Sequence, residues 1–247
     1  MRRTASAPRG VVWGSACGLA LARWRYPEAR QRASFAVSAA LSNVGHTLGG
    51  FLCFLLLGEH AFSQSVVYTL YFLFFTYLIC FPVAHACSAA RAGSRWQTIR
   101  QAVCDLRSMP MLGIAAGTVL LLSGIPRPQA LGQLQAFLLP ASTASTMFGL
   151  GLTFQARRLP QYWPDAMLMS ALKFLVTPVL AWLGIQLFGL EGETASVVMI
   201  LSTMPTAIYA CIIATIYDLE IDMTNAFFIF TTLAFLVFVL PVLVLRF

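Results

Sequence analysis

Charge is what this 247-residue chain has least of. Asp, Glu, Lys and Arg make up 10% of it, and of its sixteen basic residues fifteen are Arg and one is Lys. Ordinary globular chains carry about 25% charged and roughly 45–50% apolar residues, whereas 59% of this one is apolar. A soluble fold of this size could not hide so much apolar surface, so lipid must act as solvent. The apolar parts of the spans hold no Asp or Glu. Intramembrane metal or aspartyl chemistry needs such carboxylates, so an enzyme is not expected. The six cysteines (17, 53, 80, 87, 104, 211) have neither metal-site nor redox spacing, and they read as small buried apolar residues. Most Arg lie between apolar runs, so the net charge of +7 forms no nucleic-acid patch. No cofactor motif is present, and neither a cofactor nor a nucleic-acid partner is expected.

What is present is a series of long charge-free runs. Ala33–Gly58, Ala61–Ala90, Ser108–Pro126, Pro128–Ala156, Thr194–Tyr217 and Met223–Leu245 each reach the about 20 residues that a bilayer core requires. Ala166–Leu190 does so too, interrupted only by Lys173. An eighth run, Gly10–Ala22, would rise only about 20 Å as helix against a core of about 30 Å, and it looks like the tail of a span. A rival reading of the same stretch is a signal peptide, with Arg2, Arg3 and Arg9 as its basic region and A-L-A at 20–22 as its cleavage site. Topology argues against it, because the four Arg of loop 23–32 belong in the cytoplasm and cleavage would leave them outside.

The loops at 23–32, 91–107 and 156–165 hold ten Arg, and the opposite loops near 58–60, 125–129 and 190–193 hold one, Arg127. That asymmetry orients the chain with the first set inside. The last inner loop carries Asp218, Glu220 and Asp222, and the C-terminus lies outside. The preponderance of Arg over Lys suggests a GC-rich bacterial genome, and with it a multi-pass protein of the bacterial inner membrane.

Two spans contain helix breakers. S-N-V-G-H-T-L-G-G (42–50) is rich in glycine and small polar residues, and S-T-M-P-T-A (202–207) places Pro205 mid-span. Each is followed by a span that ends in a similar phrase, C-F-P-V-A (80–84) and V-L-P-V-L (239–243). Five span-steps separate the breaks, so the two segments cross in opposite directions. Interrupted helices in matched, inverted positions point to a transport site.

Four segments, S-N-V-G-H-T-L-G-G-F, F-G-L-G-L-T-F (148–154), A-L-K-F-L-V-T-P (171–178) and M-P-T-A-I-Y-A-C-I-I-A-T-I-Y-D (204–218), resemble the auxin efflux carrier family, which includes bacterial permeases for malonate and related acids. The resemblance implies an all-α membrane protein of ten spans in two inverted sets of five, the fourth and ninth breaking and crossing at the bilayer centre. By it, Gly10–Ala22 matches the end of span three, and about eight spans are present, without the first two. One membrane domain over 1–247 is expected, with 10–86 as the remainder of the first repeat, 87–107 as a cytoplasmic loop and 108–247 as the second repeat. Gly50 stands where the family usually has a proline; glycine also breaks helices, which implies a looser bend.

The function implied is a secondary transporter of small organic anions, dicarboxylates or auxin-like acids, coupled to H+ or Na+. A homodimer is the assembly to test. The alternatives are a non-transporting remnant or sensor with the same fold, and a sodium-coupled symporter of the bile-acid type. The expected site is Asn43, Gly45, Thr47, Gly50, Lys173, Thr203, Pro205 and Thr206. Broken helices expose N–H groups that favour a carboxylate, and the small polar side chains complete the hydrogen bonding. Lys173 is read either as counter-charge to an anion, or as a lysine that snorkels or bonds the carbonyls of a broken helix. His46 is read as a proton relay or as a neutral hydrogen-bonding residue. His60 and His85 are expected at the interfaces, Tyr68, Tyr71 and Tyr77 as packing or anchors, and Asp218 and Asp222 as a solvated rim.

Overall fold

The computed structural model describes residues 8–45, 48–87 and 156–247, with isolated positions between 113 and 152. Contacts divide the chain into two compact units, residues 1–91 with 156–247, and residues 92–155. In the second unit the described positions, such as Gly117, Leu120 and Phe137, are helical except for a turn at Ser123 and Gly124. The loop at 91–107, Cys104, Arg127 and the motif at 148–154 fall, as a loop and as a motif, outside the described residues, as do His46 and Thr47.

The first unit is all-helical, with no strand among the described residues. Its opening hairpin pairs α1 (Pro8–Arg25) with α2 (Ala29–Ala40). A Cβ on Gly18 would lie 2.5 Å from that of Ala39, so only glycine permits this approach. The expected thirteen-residue run is an 18-residue helix, because Pro8 and Arg9 precede the apolar stretch and Arg23, Trp24 and Arg25 extend past it. After residues 41–45, which are not helical, come α3 (Gly49–Leu57), α4 (Glu59–Phe75) and α5 (Phe81–Cys87). A 3-10 turn (Ala156–Tyr162) leads into α6 (Trp163–Ala171) and α7 (Thr177–Phe188), followed by α8 (Gly192–Ser202), α9 (Ile208–Ile216), α10 (Ile221–Ala234) and α11 (Leu240–Arg246).

Three junctions share one device. Widened π turns at Thr76–Cys80, Leu172–Val176 and Phe235–Val239 join α4 to α5, α6 to α7 and α10 to α11. Each ends two residues before a proline, Pro82, Pro178 or Pro241. The residue between donates its N–H five residues back: Phe81 to Thr76, Thr177 to Leu172, Leu240 to Phe235. A proline ring clashes with the carbonyl four residues earlier, and the wider turn absorbs the ring without ending the span.

Continuous helices at Glu59–His85, Arg158–Phe188 and Ile221–Arg246 are long and apolar enough to cross a membrane. The half-helices α2, α3, α8 and α9 have 9 to 12 residues, at most about 18 Å each, so they can cross only in pairs. Burial is inverted relative to a soluble protein. Leu187 and Phe238 are 79% and 71% exposed, while Ser38, Thr76, Lys173, Thr206, Asn225 and Thr231 are buried. Such a surface suits lipid and leaves polar chemistry to the interior. Phe35 meets Phe227 edge-on within a core of Ala36, Ala39, Met169 and Met223, which fastens α2 to α6 and α10.

The described loops assigned to one side do gather at one end of this unit. The Tyr26 hydroxyl donates to Asp165 at 2.7 Å, Arg30 bonds Asp218 at 3.0 Å, and Arg158 bonds Asp222 at 2.7 Å. Burial, and then the Asp165 carboxylate, push the Tyr26 hydroxyl well above its ordinary range. Asp218 is exposed as expected, but the side chain of Asp222 is only 12% exposed; its pairing with Arg158 replaces the solvated rim. At the opposite end His60 Nδ1 lies 2.6 Å from Glu193 Oε1. His85 packs at a tilt against Tyr217, and Tyr77 bonds Tyr209. Tyr68 and Tyr77 are buried packing residues; the side chain of Tyr71 is outside the description. Cys53, Cys80 and Cys211 are buried as expected, whereas Cys17 is exposed and Cys87 half-buried.

Candidate functional site

The two sequence breaks meet. Ser42 and Thr206 form an antiparallel bridge, closed by Asn43 N–H to Pro205 O at 2.9 Å and Ala207 N–H to Leu41 O at 3.0 Å. Proline is suited to this position because it has no N–H to satisfy, while its carbonyl serves as acceptor. Four half-helix ends therefore converge. α2 and α8 bring their C-terminal carbonyls, and α3 and α9 bring their N-terminal amides.

Within the first break the backbone largely satisfies itself. Gly49 N–H donates to Asn43 O at 3.0 Å, and Leu48 and Gly50 both donate to Gly45 O, at 3.3 and 2.8 Å. These bonds correct the expectation that the amides of α3 stand unpaired. Gly50 is the second residue of α3, so the bend lies ahead of it. The glycine that the crossing requires is Gly49, whose Cβ would lie 2.8 Å from Val44 Cα and 3.0 Å from Asn43 O, whereas Gly45 faces open space. Thr69 of α4 donates to Val44 O at 3.3 Å and to Ser65 O at 2.9 Å, bracing the break from the side.

The second break relies on hydroxyls. Thr206 N–H donates to Thr231 Oγ1 at 3.1 Å, and Thr231 in turn donates to Phe227 O at 2.7 Å. Thr203 Oγ1 and Ser202 Oγ return to their own turn, on Ile200 O and Met199 O, at 2.8 and 2.7 Å. Thr203 is thus occupied in capping α8. The buried Thr206 Oγ1, Ser38 Oγ and both amide atoms of Asn225 have no hydrogen-bond partner among the described residues. The amides of Ile208 and Tyr209, in the first turn of α9, likewise find no acceptor among them.

Lys173 completes the crossing. It sits in the π turn between α6 and α7 and is 1% exposed. Its Nζ donates to Leu41 O at 3.1 Å and to Ser42 Oγ at 2.7 Å. The side chain does not snorkel; it holds the end of a broken helix. Both acceptors are neutral, and among the described residues no carboxylate pairs with it. The Lys173 amino group and the positive end of α9 thus stand together, because Leu41 O accepts from both Lys173 and Ala207.

Of the expected site, Asn43, Gly45, Gly50, Lys173, Pro205 and Thr206 come together here, with Thr203 at the margin and Thr47 outside the described residues. Ser42, Gly49, Thr69 and Thr231 were missed. Ser42 and Gly49 lie inside the motif that marked the break, so their segment, though not their roles, could be read. No groups of three or more His, Cys, Asp or Glu gather to hold a metal ion among the described residues.

The sequence model of a family described as "Membrane transport protein" matches residues 100–244, more than half of the chain. An uncharacterized transporter of Methanothermobacter thermautotrophicus is 30% identical over 128 residues, 52% of this chain and 42% of that protein. An uncharacterized transporter of Methanocaldococcus jannaschii is 30% identical over 93 residues, 37% of this chain and 30% of that protein. The matches thus span less than half the length of either relative.

Proposed function

The chain belongs to the auxin efflux carrier family of membrane transport proteins, and we propose that it moves small organic anions, such as dicarboxylates or auxin-like acids, by alternating access at the crossed breaks. One observation carries this reading. Lys173 is a fully buried amino group at the meeting of the breaks, held among the described residues by the neutral groups of Leu41 and Ser42. A buried charge is costly unless a partner or a polar cavity compensates it, and an anionic substrate supplies that compensation. The open amides of Ile208 and Tyr209 add donors that favour a carboxylate. Asn43, Gly45, Gly50, Thr203, Pro205 and Thr206 form the surrounding backbone and hydroxyl frame, and Thr47 is assigned to it from the sequence alone.

Both breaks belong to one compact unit, which supports its moving as a body, elevator-like or rocking. We further propose two inverted repeats, 10–86 and 108–247, around a cytoplasmic loop at 87–107, with H+ or Na+ as the coupling ion and a bacterial inner membrane as the setting. The protein purified from its native membrane and reconstituted in liposomes is the test material. Saturable uptake of radiolabelled malonate, reduced by Asn43→Ala and by Pro205→Leu, is the expected result. Uptake left unchanged by both substitutions overturns the reading.

A further inference from the structure

Lys173 invites a second question, namely why a lysine should fill this position. The carbonyl end of a half-helix carries about half a negative charge, and unwound carbonyls beside such an end are the groups that coordinate a cation in membrane carriers. Leu41 is the C-cap of α2, and its carbonyl with the Ser42 hydroxyl forms a pair of hard oxygen donors suited to an alkali-metal ion. Here that pair is already taken by an ammonium, at 3.1 and 2.7 Å. The other carbonyl end, on α8, is closed by its own hydroxyls, Ser202 and Thr203. Among the described residues Lys173 is the one cation that serves either end.

We propose that the Lys173 ammonium is the resident cation of the crossing, occupying a monovalent-cation site built from Leu41 O and Ser42 Oγ and closing it to alkali-metal ions. This rests on the crossing being the working site of a carrier, as argued above. A tethered cation is not released in each cycle, so the crossing draws nothing from a sodium gradient. The widened turn at Leu172–Val176 positions the tether. Without the ammonium, the two oxygens are left as an unoccupied site for a small monovalent ion.

The test reads ion binding and melting and makes no use of transport, so its failure is distinguishable from failure of the carrier reading. The chain in lipid nanodiscs is melted in sodium, potassium or N-methylglucamine chloride at equal ionic strength, and radiosodium binding is measured in parallel. The wild type is expected to melt alike in all three salts and to bind no radiosodium saturably. Lys173→Ala is expected to melt about 2–10 °C lower in N-methylglucamine chloride. It should recover at least half of that loss, saturably, in sodium or potassium chloride. Lys173→Ser, which adds a hydroxyl oxygen to the vacated site, carries the same expectation should the alanine variant fail to fold. Saturable radiosodium binding to the wild type that Ser42→Ala abolishes would overturn the proposal. So would a Lys173 variant whose lost stability no alkali ion restores.

Discussion

Lys173 and Ala207 donate to the same acceptor, the carbonyl oxygen of Leu41, at 3.1 and 3.0 Å. A carbonyl has two lone pairs, and here one faces the α6–α7 junction while the other faces the second break. Three segments that are distant in sequence are thereby fixed to one atom. The Asn43–Pro205 bond closes the same crossing from the other side, which makes the two breaks one structural element.

Lys173→Met keeps the side-chain length and removes the charge. It leaves Leu41 O and Ser42 Oγ short of a donor, a loss of about 1–3 kcal/mol, or about 2–10 °C in melting temperature for a chain of this size. Malonate uptake should fall at least about tenfold, since an anion then meets no counter-charge. Lys173→Arg should recover little, because a planar guanidinium does not fit a site shaped for a compact ammonium. Uptake measured over a concentration series, alongside melting, separates lost binding from lost fold.

Gly49→Ala should destabilise by about 1–3 kcal/mol, because its Cβ would press on the backbone of Val44 and Asn43. Gly45→Ala has open space and should cost less than about 1 kcal/mol. Melting the two variants side by side checks this, and equal losses would show that the contact is not what selects glycine.

The breaks were legible because lipid-facing helix tolerates little glycine, proline or small polar sequence, so S-N-V-G-H and S-T-M-P-T stand out from their spans. Their opposite directions are an expectation from counting spans. Which of two adjacent glycines touches backbone is a matter of three-dimensional approach, and nothing in G-G at 49–50 distinguishes them. Thr231 looks like any hydroxyl in an apolar run until Thr206 N–H is found on it. Two of the three x-P-V phrases were visible as repeats, but the π turns ahead of them were not, because a widened turn leaves no periodicity over so short a stretch. Lys173 was recognisable as exceptional from its surroundings alone; its acceptors were not, since Leu41 lies 132 residues away.

Thr231→Val preserves shape and removes the acceptor of the Thr206 N–H. A buried amide left without a partner costs about 1–3 kcal/mol, and the loss falls on the second break. Hydrogen exchange should therefore quicken at Thr206 and Ala207 more than in α4. Uniform exchange across both would mean that Thr231 supports the fold generally and not the crossing.

The Tyr26 hydroxyl titrates above its ordinary value, through burial and then its bond to Asp165. The unfolded chain loses this proton at about pH 10, while the folded chain retains it. Stability from Tyr26 is thus fully present below about pH 10 and falls as pH rises beyond it, because the folded state then holds the extra proton. Tyr26→Phe should lower the melting temperature near neutral pH by the loss of one partly buried hydrogen bond, about 0.5–1.5 kcal/mol. It should also flatten the alkaline limb. Melting the two proteins between about pH 8 and 11 isolates Tyr26 from the other tyrosines by difference. Parallel alkaline limbs would show that the Tyr26–Asp165 bond does not tie the α1–α2 loop to α6.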